Sequence, residues 1–172
     1  MPDGPGLELL RGEIDVDLSG AVLDTSYAKE RAVLIVDADR ILEVLGWLRD
    51  TPGQGYRFLS SLHVADYLPA EPRFGVHYEL LNRDRVERLR VKAMLPAESP
   101  QLDSCVELFP TAEAQERESY DFFGIVFRGH PNLTRILLPD DYVGWPQRRD
   151  FPVGGEPVIF TKDEPDSPGW YE

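Results

Sequence analysis

Hydrophobic and polar residues follow strand-like patterns through the first half of the chain. A β-branched run at 32–36 is typical of a buried strand, and we expect it to pair with residues 21–27 as a hairpin. Three further strands are predicted at 58–66, 74–81 and 86–95. Within the last of these, arginine and lysine side chains alternate with other residues. One face of the predicted sheet should therefore contact solvent.

Two helices are predicted beside these strands. Asp37 or Asp39 can cap the first, and Pro52 stops it. Thr111 is the predicted N-cap of the second, and Gly124 ends it. The apolar residues that recur at helical spacing in the first helix are Ile41, Leu42, Leu45 and Leu48. This order of elements predicts an α+β fold, with a mixed or antiparallel sheet, helices packed on it, and an extended irregular C-terminal tail.

The composition divides the chain into three parts. Residues 1–27 form an acidic N-terminal segment, in which a frayed end should precede a short helix or strand. Residues 28–127 form the compact α+β domain. Residues 128–172 contain seven prolines and five glycines, yet are rich in aromatic and branched aliphatic residues. Proline prevents a long helix here, and so many apolar side chains exceed what the small domain can cover. We therefore expect this tail to lie across another protein.

Charge and cysteine content exclude several classes of function. Eighteen basic and 31 acidic residues give a net charge of −13, so the surface repels nucleic acid and anionic lipid. No apolar run is long enough to cross a bilayer, and we expect membrane association only through a partner. A single cysteine, Cys105, and three scattered histidines indicate no metal or iron–sulfur site in this chain. No phosphate-binding glycine motif or nucleophile elbow is present.

The densest group of charged residues lies in the second helix and the turn that follows. Glu116, Glu118, Asp121 and His130 could in principle divide acid and base roles in a hydrolase, although an ion-pair network is the simpler interpretation. Arg117 precedes Asp121 by four residues and is predicted to pair with it. Within the acidic tail, Arg148 and Arg149 form a basic doublet suited to gripping a carboxylate.

Residues 116–152 resemble the signature of one peripheral-arm component, the C subunit, of the proton-pumping NADH:quinone oxidoreductase, respiratory complex I. The resemblance rests on residues throughout this stretch, with Gln147 and Arg149 as departures from the usual leucine and lysine. The matching residues are Glu116, Arg117, Glu118, Asp121, Gly124, Ile125, Gly129, His130, Pro131, Leu133, Arg135, Leu137, Asp141, Gly144, Pro146, Arg148, Asp150 and Pro152.

The resemblance implies a cofactor-free structural subunit of the peripheral arm, in the quinone module. Its tail would lie along the homologue of the larger D subunit, which helps form the quinone site, near iron–sulfur subunits and on the cytoplasmic side of the membrane. Iron–sulfur clusters, FMN and quinone would belong to partner subunits. The residues expected at the partner interface are Glu116, Arg117, Glu118, Asp121, His130, Arg135, Asp141, Trp145, Arg148, Asp150 and Phe151.

Alternatives remain open at this point. Homologous subunits occur in ferredoxin-driven photosynthetic complexes and in membrane-bound hydrogenases, so the electron donor is not determined. A stand-alone carboxylate-based hydrolase is a rival of another class, and it requires its four candidate side chains to converge in one pocket. A generic acidic adaptor outside any respiratory complex is a third.

Overall fold

The predicted strands form one five-stranded sheet in the computed structural model, which describes residues 2–152. The α+β fold class is confirmed. In chain order the elements are α1 (Gly4–Asp17), β1 (Val22–Ala28), β2 (Arg31–Val36), a 3-10 turn (Ala38–Arg40), α2 (Ile41–Asp50), β3 (Phe58–Asp66), β4 (Phe74–Asn82), β5 (Glu87–Leu95), β6 (Gln101–Asp103), α3 (Ala112–Phe123) and β7 (Val126–Arg128).

The strand order is β1-β2-β5-β4-β3, and only the β2–β5 pair is parallel, so the sheet is mixed. Alternate residues of each strand face a core to which the helices contribute, with Leu34, Tyr78 and Val91 fully buried there. The opposite face carries the half-exposed Arg90 and Lys92, which confirms the predicted solvent contact. A second sheet pairs β6 with β7 in parallel and was not predicted.

The N-terminal segment is more ordered than its composition indicated. The side chain of Asp3 accepts a hydrogen bond from the Gly6 N–H at 2.7 Å and caps α1. Leu7, Leu10 and Ile14, one face of that helix, are buried in the core. The division of the chain at residue 27 stays a prediction, although α1 packs on the sheet and residue 27 lies within β1.

Both predicted helices are present, and one cap differs from the expectation. Thr111 precedes α3, but its hydroxyl donates to the Leu59 carbonyl at 3.2 Å instead of capping the helix. That hydrogen bond ties the start of α3 to the edge strand β3. Gly124 ends α3 in the left-handed conformation, with φ at 70°.

The segment after β7, residues 129–152, is called here the tail segment. It contains no helix or strand, as the proline content predicted. It runs back along α3 of its own chain, which was not predicted. Its Leu133 packs against the core of its own domain. This contact differs from the expectation that the tail lies on another protein. The apolar residues of the predicted tail that lie outside the described residues are Val153, Val158, Ile159, Phe160, Trp170 and Tyr171.

Two residues of α1 test whether this helix contributes to stability. We expect Ile14→Ala to lower the free energy of unfolding by about 2–4 kcal/mol, because Ile14 is fully buried and its truncation leaves a cavity. Val16→Ala on the same helix should change it by less than about 0.5 kcal/mol, because Val16 is 83% exposed. Urea unfolding of the full chain measures both. Equal effects would show that α1 does not pack as described.

Candidate partner-binding site

Asp121 holds the tail segment against α3 from inside the chain. Its side chain is fully buried, and one carboxylate oxygen accepts the backbone N–H groups of Ile136, Leu137 and Leu138 at 3.1, 2.8 and 2.9 Å. The other oxygen accepts from Arg135 at 2.7 Å. Burial works to raise the pKa of this carboxyl, but the hydrogen bonds outweigh it and lower the pKa to about 2. The group is therefore ionised at neutral pH.

Arg135 extends this anchor to the next turn of the tail segment. Its guanidinium also donates to the carbonyls of Tyr142 at 2.9 Å and Gly144 at 3.1 Å. The same group lies 4.8 Å from the centre of the Trp145 ring, a cation–π distance. One guanidinium thus links the helix to two separate parts of a chain segment that has no regular hydrogen bonding of its own.

The predicted pair between Arg117 and Asp121 is wrong. Arg117 instead donates to the carbonyls of Thr134 at 3.2 Å and Arg135 at 3.0 Å, and it approaches Glu113 at 3.4 Å. The spacing rule considers only neighbours on the helix, whereas Asp121 points to backbone donors that the tail segment brings to it. Both side chains therefore anchor the same segment separately.

A second anchor forms where α3 ends. Arg148 donates from its Nε to the Phe123 carbonyl at 2.7 Å, and Trp145 meets Tyr120 edge-on with ring centres 5.3 Å apart. A Cβ atom at Gly124 would lie 2.5 Å from the Trp145 ring. Glycine is needed here both for the positive φ and for this close approach.

A third anchor connects the end of the tail segment to the β3–β4 connection. Arg73 is buried and donates to Asp66 at 2.7 Å and to Asp150 at 2.6 Å. The Arg149 N–H adds a hydrogen bond to Asp66 at 2.8 Å. The guanidinium of Arg73 holds the pKa of both carboxyls below their usual range. Sequence reasoning did not identify Arg73 or Asp66, which lie 77 and 83 positions from Asp150 and Arg149, the tail residues that they contact.

Glu116 is an interior residue rather than a surface one. It is fully buried, and it accepts hydrogen bonds from the Ser104 hydroxyl at 2.6 Å and the Cys105 N–H at 2.8 Å. Burial raises the pKa of this carboxyl. His130 is half-buried, and its Nε2 lies 3.1 Å from the Glu113 carbonyl oxygen.

Three of the four residues of the hydrolase hypothesis form hydrogen bonds with different parts of the chain, although Glu116 and His130 are near enough to interact electrostatically. Glu116 faces the β6 end and Asp121 faces the tail segment, while Glu118 is exposed. His130 contacts the first turn of α3. Their contacts show no shared arrangement of an acid, a base and a reacting position, which general acid–base catalysis requires.

The exposed residues of the tail segment include large apolar side chains as well as the acidic Asp140 and Asp141. Leu137 is 62% exposed and Val143 88%, although both lie in a stretch held by Asp121 and Arg135. Ile136, which precedes Leu137 in the chain, is 37% exposed. We call these three residues the apolar ridge. They belong to the apolar residues from which the sequence predicts a partner for the tail, although they are not among the individually predicted interface residues.

The predicted interface residues divide into three groups. Glu116 and Asp121 lie inside the chain, so any effect on a partner would act through the segments that they hold. Glu118, Asp141 and Asp150 are exposed. The half-buried members are Arg117, His130, Arg135, Trp145, Arg148 and Phe151.

Two solved structures share this fold. The structure matches one described as Nqo5 of the trypsin-resistant fragment (1-134), with a TM-score of 0.63 and 29% identity, over 74% of this chain and 98% of that chain. It also matches a chain of the membrane-bound sulfane sulfur reductase, an archaeal respiratory membrane complex, with a TM-score of 0.69. That match covers 84% of this chain and 85% of that chain at 24% identity, and it shows the fold alone.

Residues 34–157 match the family described as respiratory-chain NADH dehydrogenase, 30 Kd subunit, and the chain belongs to this family. Relatives named as the C subunit of NADH-quinone oxidoreductase are 44% identical over 131 residues in Herpetosiphon aurantiacus and 43% over 145 in Saccharopolyspora erythraea. The first match covers 76% of this chain and 77% of the relative, and the second 84% and 58%. Membership makes the chain part of an oxidoreductase complex. Within residues 2–152, no helix combines the length and apolarity that a bilayer span requires.

Replacement of Asp121 tests the main anchor. We expect Asp121→Asn to lower the free energy of unfolding by about 3–5 kcal/mol, because it removes the charge that compensates the partly buried Arg135. Backbone amides of residues 136–138 should then exchange faster with deuterated solvent. Glu118→Gln, an exposed neighbour on α3, is the matched control and should change neither measurement.

The same carboxylate predicts a dependence on pH. The folded-state pKa of Asp121 is about 2, and its ordinary value is 3.8. The ionised carboxylate therefore makes its full contribution to the free energy of unfolding well above pH 3.8. The contribution is lost as the pH falls from about 5 towards 2. Urea unfolding at several pH values should show this loss for the wild type and a smaller loss for Asp121→Asn. Parallel curves for the two proteins would contradict the role assigned to Asp121.

Proposed function

We propose that this chain is a cofactor-free structural subunit of the quinone module of a proton-translocating NADH:quinone oxidoreductase, without an active site of its own. Family membership supports the place in an oxidoreductase complex. The chemistry available in the chain supports a structural role. Its single cysteine, Cys105, is buried, and burial raises the pKa of the thiol. A thiol that resists ionisation is a poor ligand for a cluster or metal.

The apolar ridge is the observation that carries this proposal. Leu137 and Val143 expose large apolar side chains, although three polar anchors hold the segment that bears them in a fixed position. A segment with no binding role would not need buried ion pairs that hold its apolar side chains in contact with solvent. A patch of exposed apolar residues on an ordered surface, as opposed to a single one, is typical of an interaction site.

The partner that we propose for this ridge is the homologue of the D subunit, with iron–sulfur subunits beside it. Those partners would carry the iron–sulfur clusters, FMN and quinone, and they would hold this chain at the cytoplasmic side of the membrane. The family resemblance of residues 116–152, which include all three anchors' tail residues, supports this arrangement. The present chain would hold these subunits in fixed relative positions while electrons pass through them.

A charge placed on the ridge tests this proposal. We expect Val143→Asp to reduce the amount of assembled complex several-fold, because a carboxylate would lose its hydration in an apolar interface. The turnover of NADH per assembled complex should stay within about twofold of the wild type. Native electrophoresis of membranes, with mass spectrometry of the complex band, measures assembly, and quinone reduction measures turnover.

Val86→Asp is the matched control, since Val86 is 79% exposed in the β4–β5 turn, away from the tail segment. The control should assemble normally. Normal assembly of Val143→Asp would overturn the ridge as an interface. Normal assembly combined with impaired quinone reduction would instead indicate a direct catalytic role.

A further inference from the structure

The face of the sheet opposite the helices has no helix or strand lying over it among residues 2–152. Strand register places its residues in rows that cross the sheet. One row contains Val33, Arg90, Glu79 and Ser61. The next contains Ile35, Lys92, His77 and His63, and its His77 is buried and lies 3.1 Å from the Tyr67 hydroxyl. We call this surface the open face. Val33 and Ile35 are half-buried, so the face offers apolar area beside its charged side chains.

The open face is positive although the chain is strongly negative. Its charged residues are Arg31 on β2, Arg88, Arg90 and Lys92 on β5, Glu79 on β4, and Asp24 on β1. Four cations and two carboxylates leave an excess of two positive charges, against −13 for the whole chain. Such an asymmetry marks a surface that meets an oppositely charged partner.

Two of these cations have no counter-ion within the described part of the chain. Glu79 forms an ion pair with Arg90, and Lys92 lies 4.1 Å from the centre of the Tyr67 ring. Arg31 and Arg88 have no carboxylate partner among residues 2–152, and both line a shallow concavity of about 290 Å³. Glu79 and Arg90, which pair with each other, line the same concavity. Two guanidinium groups without a carboxylate partner among residues 2–152 suit an added carboxylate, which each can bind with two parallel hydrogen bonds.

We propose that the open face docks an acidic, partly apolar segment of another subunit of the complex, with a carboxylate of that segment between Arg31 and Arg88. This inference rests on the proposed function for the existence of such a partner. Val33 and Ile35 would contact the apolar residues of the segment. The ridge and the open face would then be separate contact surfaces of one subunit.

A protein segment fits this face better than a polyanion or a membrane does. At physiological ionic strength, charges interact over roughly 8 Å, so a short segment senses mainly the open face. A nucleic acid or an anionic bilayer extends much further and would also meet the acidic remainder of the chain. The concavity that the two arginines line favours a side chain that can enter it.

Charge reversal on the full chain tests the chemistry. The probe is a fluorescent decapeptide of alternating glutamate and valine, with binding measured by anisotropy. We expect Arg88→Glu to weaken binding by about fivefold, whereas Arg11→Glu on α1 should leave it unchanged. Both variants alter the net charge equally, and Arg11 lies on a helix that packs on the other side of the sheet. Equal binding by the two variants would overturn the proposal, as would binding to phosphatidylglycerol vesicles in place of the peptide.

Photo-crosslinking in the assembled complex tests the location. A benzoylphenylalanine at position 33 should crosslink to a peptide of another subunit that contains aspartate or glutamate. The same group at position 9 is the control, because Leu9 is 71% exposed on α1. Absence of an adduct from position 33, or an adduct with a segment that lacks acidic residues, would overturn the docking proposal. The assembly measurement on Val143→Asp tests the proposed structural function independently. A failure of the docking proposal would therefore leave the proposed function intact.

Discussion

One buried carboxylate determines where the C-terminal part of this protein lies. Asp121 accepts three consecutive backbone N–H groups and an arginine from a segment rich in proline, which cannot complete a helix or a strand. Buried backbone groups need partners, and here a side chain supplies them in place of regular secondary structure. The position of residues 135–145 depends on these side-chain hydrogen bonds, which take the place of regular backbone pairing. Without the carboxylate, Arg135 would be a partly buried charge with no counter-ion.

The three anchors together hold the tail segment by polar contacts on its inner side and leave apolar as well as acidic side chains exposed on its outer side. Arg135, Arg148 and Arg73 use guanidinium groups to reach carboxylates and carbonyls that lie far apart in the sequence. A guanidinium provides several donors in a rigid plane, so one side chain can satisfy several acceptors. Because polar contacts also hold the segment, not every apolar residue needs to pack inward as Leu133 and Trp145 do. Leu137 and Val143 face outward instead.

Sequence reasoning succeeded where short-range pattern decides the structure. The strands, α2 and the end of α3 at Gly124 follow from alternation, helical spacing and the conformational freedom of glycine. It failed for the Arg117–Asp121 pair, because a spacing rule for one helix contains no information about a segment that arrives from elsewhere. Residue identity likewise gives no sign that Arg73 meets Asp150, since 77 positions separate them. The fold was therefore predictable in outline, and the anchors of the site were not.

An anchored tail has a thermodynamic consequence for assembly. A flexible segment that becomes ordered on binding loses conformational entropy at that moment, which subtracts from its affinity. Here the ordering of residues 129–152 accompanies folding of the domain, since their hydrogen bonds are made within the chain. In the proposed interface, the ridge would then associate with a partner with little further loss of conformational freedom. Under this proposal the buried ion pairs preorganise the surface that binds the partner. Their effect on affinity would come from the smaller entropy loss on binding, and it would exceed the effect of any direct contact that they make with the partner.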